Sequence, residues 1–199
     1  MTQRPLLALA LPILGAAALV GVAAATRAAD PAPASDPVAR GKYLVTIAVC
    51  NDCHTPMKMG ENGAEPDMSR MLSGHPADMT LPPPPAPVGP WIASFTGTNT
   101  GWSGPWGVSY SANLTPDPET GLGKWTFENF RDTIRNGRHM GRGRQILPPM
   151  PWPMFRHMTD EDLAAIFAYL QSIPAIRKLL AKSREKGLIF RSWSSRIDS

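Results

Sequence analysis

Apolar residues recur at helical spacing in three stretches of the chain, and each stretch predicts one helix. The first helix is predicted to begin near Asp36, with Pro37 in its first turn, where a missing backbone N–H costs nothing. It leads directly to residues 50–54. Its apolar face is formed by positions three, four and seven residues apart: Gly41, Leu44, Val45 and Ala48.

The other two helices lie in the second half of the chain. Thr126 is a typical N-cap for the earlier one, and Gly137 is its stop signal. Thr159 opens the last helix, Asp162 is placed to complete a capping box, and Pro174 ends it. Their predicted buried faces are Phe127, Phe130 and Ile134 in one, and Leu163, Ile166, Phe167 and Leu170 in the other.

Residues 56–112 show neither a clean period nor an internal repeat. The aromatic residues of this insertion need burial, which predicts ordered loops rather than disorder. They are Trp91, Phe95, Trp102, Trp106 and Tyr110. His75 is expected to face solvent. Because no stretch reads as a convincing strand, the sequence predicts an all-α, loop-rich domain.

The N-terminus has the pattern of a secretory signal. Arg4 precedes an almost wholly apolar stretch from Leu6 to Val22, and small residues suited to cleavage follow it. An uncleaved membrane anchor is the alternative, although Pro12 and Gly15 interrupt the stretch. We expect residues 1–28 to be a cleaved signal peptide, residues 29–36 a linker, residues 37–174 one domain and residues 175–199 a basic tail.

The chain carries 20 lysines and arginines against 16 acidic residues, a formal charge of +4. Because the protein is expected to be exported, this charge gives little support to a nucleic-acid partner. The tail after Pro174 combines basic and apolar residues, which fits contact with an anionic membrane surface or an acidic partner. A helix packed on the domain is an equal alternative for this tail.

Residues 50–54 read Cys-Asn-Asp-Cys-His and contain the only two cysteines. This spacing is the attachment signature of haem c: Cys50 and Cys53 bond covalently to the porphyrin, and His54 coordinates the iron. Export fits this interpretation, because covalent haem attachment in bacteria takes place outside the cytoplasmic membrane. The motif therefore predicts one covalently attached haem c with its iron.

Three other roles for this cysteine pair are less well supported. A structural zinc site needs four ligands, and the chain has no second cysteine pair. A thioredoxin-type dithiol is expected within alternating strands and helices, which this sequence does not suggest. A disulfide across two residues would constrain the unfolded chain little.

A second iron ligand is expected in the proline-rich segment from Leu147 to Phe155. Prolines restrict the backbone around Met150, which lets a loop hold a sulfur against the iron. Met154 is the less favoured methionine, because it lies only five residues before the last helix. His139 and His157 flank the segment and are alternative ligands. Arg138, Arg142 and Arg144 are candidates to contact haem propionates or an acidic partner.

The order of helix, haem motif, loop, proline-flanked methionine and final helix resembles that of class I c-type cytochromes. More narrowly, four segments are similar to haem domains in cytochrome c subunits of membrane-bound alcohol and sugar-acid dehydrogenases. These segments are Asn113–Asp117, Gly121–Trp125, Pro149–Pro153 and Met158–Leu163. The resemblance implies a cytochrome c-like fold with a long insertion around the haem, and a packing contact between Gly41 and Tyr169.

These observations predict a periplasmic monohaem cytochrome that carries single electrons between redox partner proteins and transforms no substrate. An electron-transfer subunit of a dehydrogenase or oxidase complex is one alternative. A sensory or catalytic haem with an open sixth site is another, and a module without haem is a third.

Overall fold

The computed structural model describes residues 36–178. The predicted signal peptide, residues 29–35 of the linker and residues 179–199 of the tail lie outside the described part. Five helices occur within it. They are α1 (Pro37–Ile47), α2 (Cys50–His54), α3 (Phe127–Asn136), α4 (Trp152–Phe155) and α5 (Asp160–Ser172).

The predicted starts of the three longer helices are confirmed by their caps. The Asp36 side chain accepts a hydrogen bond from the backbone N–H of Val38. Thr126 and Asn129 form a reciprocal capping box on α3, and Gly137 ends that helix in the left-handed region at φ 63°. On α5 the Thr159 hydroxyl accepts from the N–H of Asp162. The Asp162 carboxylate binds the guanidinium of Arg40 on α1, at 2.9 and 3.0 Å.

The prediction of an all-α fold is wrong, because the insertion contains two antiparallel sheets. β1 (Met57–Gly60) pairs with β2 (Gly63–Pro66). The three-stranded sheet has the order β3–β4–β5, from β3 (Ser94–Phe95), β4 (Gly101–Gly104) and β5 (Gly107–Tyr110). In the β1–β2 and β4–β5 hairpins a glycine with positive φ opens the second strand, Gly63 at 111° and Gly107 at 95°. Strands of two to four residues are too short to show a two-residue period, so the sequence pattern did not reveal them.

The core lies where α1, α3 and α5 meet. The predicted faces of α3 and α5 are buried through Phe130, Ile134, Leu163, Ile166 and Leu170. Phe127 and Phe167 are partly buried at the edge of this core and pack with ring centroids 6.3 Å apart. The insertion contributes Leu72, which is fully buried and has a positive φ of 59°.

The expected burial of the insertion's aromatic residues is only partly correct. Trp102 and Trp106 are partly buried. Trp91 and Phe95 are 78% and 72% exposed, and Tyr110 is half exposed. No helix between residues 36 and 178 combines the length and apolar character needed to cross a bilayer.

Helices α1 and α5 cross in direct backbone contact at Gly41, and the expected contact with Tyr169 is present. A Cβ atom added to Gly41 would lie 1.9 Å from the Ala165 carbonyl oxygen and 2.8 Å from Tyr169 Cβ. The obstacle is largely backbone, so a side chain at this position would force the two helices apart.

We therefore expect Gly41→Ala to lower the free energy of unfolding by about 1–3 kcal/mol or more, through overpacking. Gly97→Ala is the matched control, because a Cβ added at that exposed position meets nothing within 4 Å. Urea denaturation followed by circular dichroism measures both. Equal unfolding free energies for the two variants would show that the crossing is not tight.

Candidate functional site

The cysteine motif forms its own short helical turn. Val49 adopts a left-handed conformation at φ 50°, which breaks the chain after α1, and α2 begins at Cys50. Cys50 and Cys53 are three residues apart and therefore lie on one face of this turn. Both thiols are free and partly exposed. Burial raises the pKa of the Cys50 thiol to about 11 and also raises the pKa of Cys53, which keeps both groups protonated at neutral pH.

His54 is buried at the end of this turn, and one of its ring nitrogens is already bonded. Nδ1 lies 2.8 Å from the backbone oxygen of Ala112. A carbonyl can only accept, so Nδ1 carries the hydrogen and Nε2 presents its lone pair. Burial lowers the pKa of His54, the bond to Ala112 partly opposes this, and the positive charge of Lys178 lowers it further. The imidazole is thus held neutral with Nε2 ready to bind a metal.

The insertion holds the motif by hydrogen bonds from several directions. The Thr55 hydroxyl donates to the side-chain oxygen of Asn51 and accepts from the backbone N–H of Leu72, both at 2.9 Å. The N–H of Gly74 donates to the His54 carbonyl at 2.7 Å. The side-chain amide of Asn99 donates to the Asp52 carbonyl at 2.8 Å. Sequence reasoning missed Leu72, Gly74 and Asn99, since each contacts a residue 17 or more positions away in the chain.

The predicted methionine ligand lies on a loop that the insertion also contacts. Met150 is partly buried and packs against the hydrophobic core, as does Cys50. Two residues before it, the Pro148 carbonyl accepts a 2.6 Å hydrogen bond from the hydroxyl of Ser109 on β5. Met154 points away from the core and is 71% exposed. Because Met150 is partly buried and Met154 is exposed, the Met150 sulfur is the better placed of the two to act as an iron ligand.

The histidines proposed as alternative ligands are both exposed. His139 packs edge-on against Trp125, with ring centroids 5.1 Å apart. The nearby Arg138, Arg142 and Arg144 are exposed as well, and the Arg138 guanidinium donates to the Gly143 carbonyl. They form a solvated basic loop that precedes Met150 in the chain.

His75 is buried, so the expectation that it faces solvent is wrong. Its side chain is 7% exposed, and Nδ1 lies 2.9 Å from the Thr100 hydroxyl. Tyr110 packs on the ring with centroids 4.6 Å apart. Burial, together with the positive charges of Lys178 and Arg70, lowers the pKa of His75 to about 4.

The donor set fits a covalently bound haem. Two thiols and a neutral imidazole with a free Nε2 lie on one turn, and a partly buried thioether lies on a separate loop. The indole nitrogen of Trp106 is buried with no hydrogen-bond partner among residues 36–178, so it can donate to a ligand acceptor such as a carboxylate. Within the same residues, no three histidine, cysteine or acidic side chains come together to hold a metal ion.

Comparison with known proteins agrees with this donor set. Residues 38–174 match the family model for cytochrome c. The chain is 43% identical over 74 residues to a subunit of the nicotinate dehydrogenase of Pseudomonas putida, covering 37% of the chain and 6% of that relative. It is 45% identical over 65 residues to the cytochrome c subunit of a quinone alcohol dehydrogenase of Gluconacetobacter polyoxogenes, covering 33% of the chain and 14% of the relative.

A third relative matches most of the chain. The fructose dehydrogenase cytochrome subunit of Gluconobacter japonicus is 29% identical over 170 residues, or 85% of the chain and 28% of that protein. The chain therefore spans only a small part of the length of the curated relatives it matches.

The buried His75 gives folding a specific pH dependence. Its pKa is about 4 in the folded protein against about 6.5 unfolded, so the unfolded state binds more protons between these values. The stabilisation that depends on neutral His75 is fully present above pH ~6.5 and is lost as the pH falls toward ~4. The free energy of unfolding falls by about 1–3 kcal/mol over this range.

His75→Gln removes the titrating group, so the free energy of unfolding should fall less steeply from pH 7 to pH 4 than in the wild type. Urea unfolding at several pH values measures the difference between the two proteins. Parallel pH profiles would contradict the assignment.

Proposed function

Because the chain belongs to the cytochrome c family, we propose that it is an exported carrier of single electrons with one covalent haem c, ligated by His54 and Met150. It passes electrons between redox partner proteins in the periplasm and transforms no substrate. The hydrogen bond from His54 Nδ1 to Ala112 carries this proposal, because it leaves Nε2 available to bind iron on the same turn as the two thiols. A single haem motif in the sequence supports one haem. Export requires that residues 1–28 act as a signal peptide.

Each residue of the site has a separate task. Cys50 and Cys53 form the thioether bonds, and His54 and Met150 hold the iron. Bound there, haem c supplies a one-electron couple whose potential is raised by methionine ligation. The Ala112 carbonyl keeps the imidazole in one tautomer and orientation. The buried Trp106 N–H is suited to a haem carboxylate, and the exposed arginines 138, 142 and 144 offer a basic face to a partner.

A subunit role within a dehydrogenase complex is the second candidate. The three relatives above are named as subunits of nicotinate, alcohol and fructose dehydrogenases, and the last of them matches through the insertion.

Residues 79–116 contain no charged residue. Four apolar side chains in this segment are more than half exposed: Val88, Trp91, Ile92 and Phe95. An uncharged apolar surface of this kind favours a lasting protein contact. Co-purification with a larger redox subunit distinguishes the subunit from a freely diffusing carrier.

Covalent haem is tested by expressing the full chain with the cytochrome maturation machinery. We expect the wild-type band to stain for haem on a denaturing gel, with about one haem per chain. The Cys50→Ala, Cys53→Ala double variant should lose the stain, because both thioether bonds are gone. Met154→Leu, at an exposed position, is the control and should stain like the wild type. An unstained wild-type band overturns the proposal.

Methionine ligation is tested with Met150→Leu, which removes the sulfur and preserves an apolar side chain. The long-wavelength absorption band of ferric iron bound to methionine should disappear, and the reduction potential should fall. Met154→Leu should retain the band. If Met154→Leu removes the band instead, the ligand assignment is wrong. Rapid binding of cyanide or carbon monoxide by the wild type would favour an open sixth site.

A further inference from the structure

Lys178 extends from the segment after α5 toward the haem motif. Its backbone N–H donates to the Thr120 hydroxyl at 2.9 Å. Its side chain is partly buried, and Nζ donates to the backbone oxygen of Ser111 at 3.2 Å. That oxygen also accepts a 3.1 Å hydrogen bond from the N–H of His75. The ammonium is therefore held at a defined point inside the domain.

The residue after Ser111 is the one that fixes the imidazole. The Ala112 carbonyl accepts from His54 Nδ1 at 2.8 Å. Ser111 and Ala112 are consecutive, with Cα atoms about 3.8 Å apart, so the ammonium and the imidazole bind adjacent backbone carbonyls. The Lys178 charge thus lies next to the carbonyl that holds Nδ1 of His54.

Lys178 differs from the two arginines that line the same cavity of about 200 Å³. Arg70 lies 3.6 Å from the Asp78 carboxylate, and Arg177 lies 2.5 Å from Glu119. Within residues 36–178 no ion pair includes Lys178, whose acceptor is a neutral carbonyl. Burial lowers the pKa of His75, and the positive charge of Lys178 lowers it further, so the field of the ammonium acts on its surroundings inside the domain.

We propose that Lys178 is a tuning residue, whose charge near His54 raises the reduction potential of the iron that His54 binds. This inference rests on the proposed function. Reduction adds one electron and removes one positive charge from the iron, so a nearby cation favours the reduced form. Because Lys178 is partly buried, salt screens its effect less than that of a surface lysine. No proton transfer accompanies the step.

The test compares reduction potentials of purified holoprotein by spectroelectrochemical titration at pH 6. Lys178→Gln and Lys178→Met both remove the charge, and methionine keeps most of the aliphatic stem. We expect each to shift the equilibrium constant for reduction about threefold to tenfold toward the oxidised form, where tenfold is about 59 mV for one electron. Lys178→Arg keeps the charge and should stay near the wild type.

Lys42→Gln, on the exposed side of α1, is the matched control for loss of one lysine charge and should shift the potential much less. Equal potentials for the wild type and both neutral variants would overturn the inference while leaving the proposed function intact. A shift in Lys178→Arg as large as in Lys178→Gln would also overturn it, because structure rather than charge would then be responsible. A wild type that takes up no haem would defeat the proposed function and this inference together.

Discussion

The hydrogen bond between His54 and the backbone of Ala112 is the contact on which the site depends. It joins the haem motif to Ala112 at the far end of the insertion. Both sheets lie between these two residues in the chain, so the chain returns to the imidazole after passing through them. A carbonyl acceptor places the hydrogen on Nδ1 and leaves the lone pair of Nε2 available for a metal. A misplaced insertion would leave a buried imidazole with an unpaired N–H, which is costly in a low-dielectric interior.

The insertion therefore serves as a scaffold for the site. Asn99 contacts the motif through the Asp52 carbonyl, and Ser109 contacts the methionine loop through the Pro148 carbonyl. The insertion thus bridges the helical turn that carries His54 and the loop that carries Met150. Leu72 also ties the insertion to the hydrophobic core, where it is fully buried. Because the turn and the loop contact the same packed segment, their relative position is better fixed than it would be without a shared support.

Charge is distributed unevenly around this scaffold. The outer surface of residues 79–116 is uncharged and displays exposed aromatic side chains, whereas the basic loop after α3 carries exposed arginines. Close to His54 the ammonium of Lys178 lies on a backbone carbonyl. An apolar surface suits a stable protein contact, a basic loop suits steering of an acidic partner, and a partly buried cation suits tuning of the proposed haem site. The three features therefore suit different properties: partner affinity, partner association and the potential of the proposed haem.

The sequence by itself determined the three longer helices and the spacing of the proposed haem-binding residues. Caps at Asp36, Thr126 and Thr159 are local signals, and so is the spacing of Cys50, Cys53 and His54, since each depends on residues a few positions apart. The strands of the insertion, the burial of His75 and the exposure of Trp91 were decided by tertiary structure alone. Strands this short have no readable period, and His75 is buried because Thr100 and Tyr110 pack against it from distant positions. The acceptor for His54 and the place of Lys178 likewise depend on contacts between segments far apart in the chain, which no local pattern encodes.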